Sequence, residues 1–281
     1  MSSLRPQDLL RDNLTIPTIP EVVVRIQRLV ADPEAGTREM GALVAQDAPL
    51  AAKVLRIANS AYYGLREPCV STEQASTVLG ARVLRNVVTQ AAVMSRFQHL
   101  EHHADFRLHD LWRHTVATGH VSAALARHSG AKLGLSADEF YVCGLLHDIG
   151  QVVLLDSLGD GYLDLVREGR RVGRPLQLVE QAAFGFDHTD VGALVAQRWS
   201  LPDPVVAAIQ FHHGPREAIE RDPAVRLIAT ADHLVHRVGA GALETAELLF
   251  DAETRGLLGI DVADAAELVV MAERALAGVE F

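Results

Sequence analysis

Cysteine, aromatic residues and positive charge are all scarce in this chain of 281 residues. Its two cysteines, Cys69 and Cys143, are too few for a disulfide-stapled scaffold. Because 49% of the residues are hydrophobic, an intrinsically disordered chain is also excluded. No apolar run reaches the roughly 18 residues of a transmembrane helix, and the N-terminal segment lacks the apolar core of a signal peptide. We therefore expect a globular protein of the reducing cytoplasm that does not enter the membrane.

The balance of charge restricts the partners that the chain can bind. Acidic residues number 36 and basic residues 26, which gives a formal net charge of −10. Such a chain repels phosphate backbones, so we expect no nucleic acid among its partners. Arg170, Arg171 and Arg174 form one small basic cluster, which is typical of a solvated loop.

Histidine is abundant but unevenly distributed. All 13 histidines fall between His99 and His236, so the N-terminal third has none. At about 150 residues per domain, the length predicts two domains. We place the boundary near residues 97–108. This gives an N-terminal helical part at 1–100, a histidine-rich helical part at 101–240, and a C-terminal helical extension at 241–281.

Apolar residues recur at helical spacing along most of the chain, and no stretch alternates with the period of a strand. Ser71 with Gln74, and Ser136 with Glu139, form the capping boxes of two helices. The first of these helices ends at Gly80, and the second ends near His147. Other helices are predicted at 21–30, 48–58, 81–97, 108–128, 175–184, 188–199, 204–212, 224–238, 244–250 and 263–277. The predicted fold class is all-α.

The pair His147-Asp148, at the end of an apolar helix, is the central chemical signal. An adjacent imidazole and carboxylate can bind one cation, and the carboxylate can bridge two. This ligand pair suits zinc, iron, manganese or nickel better than calcium. Taken alone, the pair is more typical of a hydrogen-bonded helix end. Candidate partners lie on separate predicted helices, and they are His114, His188, His212, His213 and Asp232.

Structural roles compete with metal binding at several of these positions. His188 could simply cap its helix, and His212 and His213 could be hydrogen-bonded surface residues. Asp110 lies four residues before His114 on the same helical face, and we interpret it as a solvated residue. The candidate metal site therefore depends on the combination of residues and on no single one.

The order His, His-Asp, His, His-His, Asp resembles that of the HD superfamily of metal-dependent phosphohydrolases. In its HD-GYP branch of cyclic-dinucleotide phosphodiesterases, the intervening histidines bind a second metal ion. The resemblance implies one or two divalent transition-metal ions, with an unloaded site as the alternative. The first ion would be held by His114, His147, Asp148 and Asp232. The second would be held by His188, His212 and His213.

A further resemblance covers about residues 14–240. It is carried by IPTIP at 16–20, LRIANSA at 55–61, GLLHDIG at 144–150, and the segment from Glu180 to His188. These motifs are similar to those of the HDOD domain, the HD-related output domain of bacterial signalling proteins. The resemblance implies an N-terminal helical bundle packed on an HD-like helical bundle.

Two departures from the phosphodiesterase pattern bear on function. Gln151 follows His-Asp-Ile-Gly where that branch has lysine, and Gly214-Pro215-Arg216-Glu217 stands where it has a Gly-Tyr-Pro signature. We therefore expect a regulatory signalling protein that binds a protein partner, or a nucleotide or cyclic-dinucleotide ligand. The alternative, favoured by the retained ligands, is a metal-dependent phosphohydrolase acting on a cyclic or linear nucleotide. No residue is assigned a catalytic role.

Overall fold

The structure is a computed structural model that describes residues 21–32, 35–60, 62–102, 108–129, 133–239, 255–256 and 258–278. Within these ranges every regular element is a helix, which confirms the all-α prediction. The described residues form two compact units. The N-terminal unit comprises 21–99 with 274–278. The second unit comprises the described residues of 100–273, and we call it the HD unit after its His147-Asp148 pair. The helix predicted at 244–250 lies outside the described residues.

The N-terminal unit is built around four helices, which are α1 (Glu21–Ala31), α2 (Thr37–Val44), α3 (Ala48–Ala58) and α4 (Thr72–Arg96). A short 3₁₀ helix, Gln98–His102, follows them. The side chain of Asp47 caps α3 by accepting a hydrogen bond from the backbone N of Leu50 at 3.1 Å. Gly80, at φ 78°, interrupts α4 at the position where the sequence predicts a helix end. Apolar side chains of all four helices form one buried core.

The HD unit contains the histidine-rich part of the chain. Its helices are α5 (Leu108–His128), α6 (Ala137–Leu146), α7 (Ile149–Leu158), α8 (Asp160–Val172), α9 (Leu176–Phe184), α10 (His188–Arg198), α11 (Asp203–Phe211), α12 (Arg216–Arg221), α13 (Pro223–Gly239) and most of α14 (Val262–Gly278). The bounds of α5 are those that the sequence predicts. Ser136 and Glu139 form the predicted capping box of α6.

Two glycines let α5 and α6 pack closely. A Cβ at Gly144 would lie 2.7 Å from the Cα of Gly119, and a Cβ at Gly119 would lie 2.9 Å from the carbonyl oxygen of Tyr141. Because these neighbours are backbone atoms, a side chain at either position would push the helices apart. The close approach holds His114 on α5 beside His147 at the end of α6.

The stretch Ala137–Leu158, which covers α6 and α7, is long and apolar enough to cross a membrane by composition. In the HD unit, however, 72% of its most apolar window is buried by protein. The stretch is also divided at His147 and Asp148, whose polar side chains are buried. These features are those of a core helix pair that carries functional groups.

Candidate metal centre

All seven sequence-predicted ligands converge on one cluster in the HD unit. His114 comes from α5, His147 and Asp148 from the junction of α6 and α7, and Asp232 from α13. His188 begins α10, and His212 and His213 follow α11. Their inward atoms form three overlapping groups, each within 4.8 Å. The groups are Asp148 with His188, His212 and His213; His114 with His147 and Asp148; and His147 with His212 and Asp232.

The first metal position is the space between His114, His147, Asp148 and Asp232. The Nε2 of His114 lies 2.9 Å from Oδ1 of Asp232 and 3.3 Å from Nε2 of His147. The Nε2 of His147 lies 3.3 Å from Oδ2 of Asp148. Two atoms that each bind one ion at about 2.1 Å are separated by about 3.0–3.4 Å at octahedral or tetrahedral angles. These spacings, and the 3.5 Å between Nε2 of His147 and Oδ1 of Asp232, are close to those of a single ion, and the 3.9 Å between Nε2 of His114 and Oδ2 of Asp148 is longer.

The second metal position lies between Asp148, His188, His212 and His213. The Oδ1 atom of Asp148 lies 3.2 Å from Nε2 of His188 and 3.8 Å from Nε2 of His212. The other oxygen of Asp148, Oδ2, faces the first position. Asp148 is therefore placed to bridge two ions.

Three buried polar atoms at the second position show that its residues fit a metal. Oδ1 of Asp148, Nε2 of His188 and Nε2 of His212 make no hydrogen bond among the described residues. The 3.2 Å contact between the first two is not one, because the proton of the neutral His188 ring is on Nδ1. An unsatisfied buried polar atom costs about 1–3 kcal/mol, so native proteins contain few of them. The three atoms are of the types that bind metals, and one cation between them would satisfy all three.

Hydrogen bonds on the far side of three imidazole rings orient these ligands. Nδ1 of His147 donates to the carbonyl oxygen of Gly144 at 2.7 Å, and Nδ1 of His212 donates to that of Ile209 at 2.7 Å. Nδ1 of His188 donates to Oε2 of Glu180 at 2.6 Å. In the neutral ring this assigns the proton to Nδ1 and leaves the lone pair of Nε2 directed into the cluster.

Burial and neighbouring charges shift the pKa values of the ligands. Burial by itself would lower the pKa of His147, but the carboxylates of Asp148 and Asp232 raise that pKa to about 10. Burial would likewise raise the pKa of Asp148, yet the neighbouring His147 holds it well below its usual range. Burial lowers the pKa of His213 to about 3. At neutral pH, Asp148 is therefore ionised and His213 is neutral, which are the forms that bind metal, whereas His147 carries a proton that a bound ion would displace.

The sequence did not predict a role at the cluster for three residues. Glu180 and Tyr162 lie behind the cluster, and Gly150 lets the backbone of His188 approach closely. Glu180 and Tyr162 are both fully buried, and the hydroxyl of Tyr162 donates to Oε1 of Glu180 at 2.6 Å. Gly150 lies where a Cβ would be 1.9 Å from the carbonyl oxygen of His188. The motif GLLHDIG contained a signal for Gly150, since this glycine lies two residues after the ligand Asp148. No local pattern marked Tyr162.

Asp110 and His236 lie at the edge of the centre. The side chain of Asp110 is 45% exposed and belongs to none of the ligand groups, which agrees with its interpretation as a helix-face residue. His236 is exposed, and its ring contacts that of His114 edge-on at a centroid distance of 5.9 Å. Its spacing of four residues from Asp232 on α13 was the available signal.

The helical fold and the clustered His and Asp residues define a domain of HD type. The chain belongs to the HDOD family, since the family model of the HDOD domain matches residues 16–215. An uncharacterised protein of Treponema pallidum (strain Nichols) is 30% identical over 218 residues. The match covers 77% of this chain and 41% of that relative, so this chain spans less than half of the relative's length.

Two solved structures share the architecture. An HDOD domain protein of unknown function from Geobacter sulfurreducens has a TM-score of 0.78 and 26% identity, over 94% of this chain and 91% of its own. A presumed signal transduction protein from Marinobacter aquaeolei VT8 has a TM-score of 0.74 and 25% identity, over 98% of this chain and 61% of its own. The HDOD family and the all-α class implied by the sequence are thus confirmed.

Proposed function

We propose that this chain is a cytoplasmic regulatory protein of bacterial signal transduction, which binds a protein partner or a nucleotide ligand and uses metal ions to fix the shape of its HD unit. The observation that carries this proposal is the ligand cluster. Asp148 and Asp232 each face several imidazoles, and all their ion-pair partners among the described residues are histidines. Such an arrangement is suited to holding cations.

A regulatory role follows from where the ligands originate. They come from α5, the α6–α7 junction, α10, the end of α11, and α13, and the His114–Asp232 contact joins residues 118 positions apart. Ions at this point would tie these helices together, because metal binding is coupled to the packing of the segments that supply the ligands. Metal occupancy would then set the surface that the HD unit presents to its partner.

Phosphohydrolysis is the second candidate, and the partial exposure of the cluster favours it. The side chains of His114, Asp232 and His213 are 17%, 15% and 29% exposed, so a small anion could reach the ions from solvent. Paired ions would supply Lewis acidity toward a phosphate ester. The chain offers little further help, because Gln151 is neutral and no arginine or lysine pairs with the cluster carboxylates in the described part of the chain.

We expect that manganese- or iron-loaded protein does not hydrolyse cyclic di-guanosine monophosphate at a useful rate, whether or not it binds this nucleotide. Phosphoryl transfer needs charge stabilisation and an aligned nucleophile, and the lysine and Gly-Tyr-Pro loop of the active relatives are replaced here. The measurement is product formation by chromatography, with Asp148→Ala as the control. Turnover near 1 s⁻¹, about the low end for enzymes, that disappears in Asp148→Ala would make phosphohydrolysis the function.

A further inference from the structure

A carboxylate is buried behind the second metal position. Glu180 is fully buried on α9, eight residues before His188. Its Oε2 accepts hydrogen bonds from Nδ1 of His188 at 2.6 Å and from the backbone N of His188 at 3.0 Å. Its Oε1 accepts from the hydroxyl of Tyr162 at 2.6 Å. Both carboxylate oxygens are therefore satisfied, and they connect α8, α9 and α10.

Helix capping alone does not explain this carboxylate. Asp187 and Asp190 already form the capping box at the start of α10, so the helix end is stabilised without Glu180. A buried charge is costly even when it is hydrogen-bonded, and an amide of similar volume could accept from His188 and donate to Tyr162 without that cost. The retained charge points to a role at His188.

The acceptor behind His188 differs in kind from those behind the other oriented rings. His147 and His212 donate to neutral backbone carbonyls, within one turn of their own positions. His188 donates to a carboxylate supplied by another helix. A charged acceptor polarises the imidazole and strengthens its lone pair as a metal donor, which makes such partners worth 10–100-fold in metal affinity, as an order-of-magnitude figure.

We propose that Glu180 is a positioning residue that selectively sets metal affinity at the second position. It does so by providing a negatively charged acceptor for the hydrogen bond from Nδ1 of His188. Tyr162 satisfies the far oxygen of the carboxylate, while two hydrogen bonds from His188 fix the oxygen behind the ring. The inference rests on the proposed metal centre and adds that its two positions depend unequally on Glu180. The first position has no buried carboxylate behind its imidazoles among the described contacts, so Glu180 acts on it only through the shared ligand Asp148.

The test titrates metal-free full-length protein with cobalt(II), followed by calorimetry and by the visible absorption of the bound ion. Wild-type protein should bind two ions. Glu180→Gln keeps the size of the side chain and one acceptor oxygen for His188. It replaces the other oxygen with an amide NH₂, to which the hydroxyl of Tyr162 can turn as acceptor, and it removes the charge. We expect this variant to bind one ion with unchanged affinity and the other about 10–100-fold more weakly. Equal binding of both ions in wild type and Glu180→Gln would overturn the proposal.

Tyr162→Phe separates charge from packing. It removes the hydroxyl but leaves the carboxylate, so the second ion should bind within about threefold of wild type even if the melting temperature falls. Loss of that ion in Tyr162→Phe as well as in Glu180→Gln would mean that both residues act through packing, and the proposal would be wrong.

If Glu180→Gln does not fold, as judged by circular dichroism, Glu180→Asp replaces it and should retain the second ion. A wild-type protein that binds no ion would instead refute the metal centre itself.

Discussion

Alanine at position 150 is expected to destabilise the HD unit by about 3 kcal/mol or more, which is the upper range for overpacking. A Cβ there would lie 1.9 Å from the carbonyl oxygen of His188, 2.7 Å from its carbonyl carbon and 2.9 Å from the backbone N of Gly192. All three neighbours are backbone atoms, so no side-chain rotation relieves the overlap. The helices α7 and α10 would have to separate, and His188 would move away from Asp148.

The matched control is Gly161→Ala on α8. A Cβ at Gly161 meets no heavy atom within 4 Å, and its backbone φ is not positive. The substitution should leave stability unchanged or raise it by up to about 1 kcal/mol through helix propensity. The measurement is the denaturant midpoint of both variants beside wild type. A Gly150→Ala protein as stable as Gly161→Ala would show that α7 and α10 do not make the contact described here.

Asp148→Ala should abolish binding at both metal positions. The two oxygens of Asp148 face different positions, Oδ2 toward His147 and Oδ1 toward His188, so one substitution removes a ligand from each. For wild type, metal at 100 times its dissociation constant adds about 2.7 kcal/mol of stability. We expect this gain, seen as a rise in melting temperature on metal addition, to disappear in the variant.

Asp164→Ala is the control for the loss of an aspartate. Asp164 is 74% exposed and pairs with Arg167 on the surface of α8, an interaction of the kind that contributes about 0–1 kcal/mol. Its metal-dependent rise in melting temperature should match that of wild type. A rise that persists in Asp148→Ala, or one that chelator does not remove, would rule out a bridging role for Asp148.

Local signals in the sequence were sufficient for much of the fold. The ends of α5 and the capping box of Ser136 and Glu139 were predicted as they are found, because both depend on residues within one or two turns. Gly80 was predicted to end a helix and does break α4, since a φ of 78° favours glycine. The convergence of His114 and Asp232 came from the order of the motifs, because residue spacing says nothing about packing between distant helices.

Features that depend on tertiary packing could not be obtained in this way. The bounds of α7 were missed because its residues are apolar on nearly every face, so helical periodicity is weak. Those of α8 were also missed, although its apolar residues recur at helical spacing and Gly159 and Gly173 flank it. Glu180 has the polarity of a solvent-facing helix residue, and only the packing of α9 against Tyr162 and His188 buries it. The requirement for glycine at position 150 likewise depends on a backbone contact with α10, 38 positions further along the chain.

The metal content of the protein purified without chelator tests the central claim most directly. Elemental analysis by mass spectrometry should find about one to two transition-metal ions per chain, because the ligand atoms define two positions that share Asp148. Asp148→Ala purified in parallel should contain almost none. Wild-type protein that carries no transition metal, and that takes up none when supplied with manganese, iron, zinc or nickel, would contradict the account.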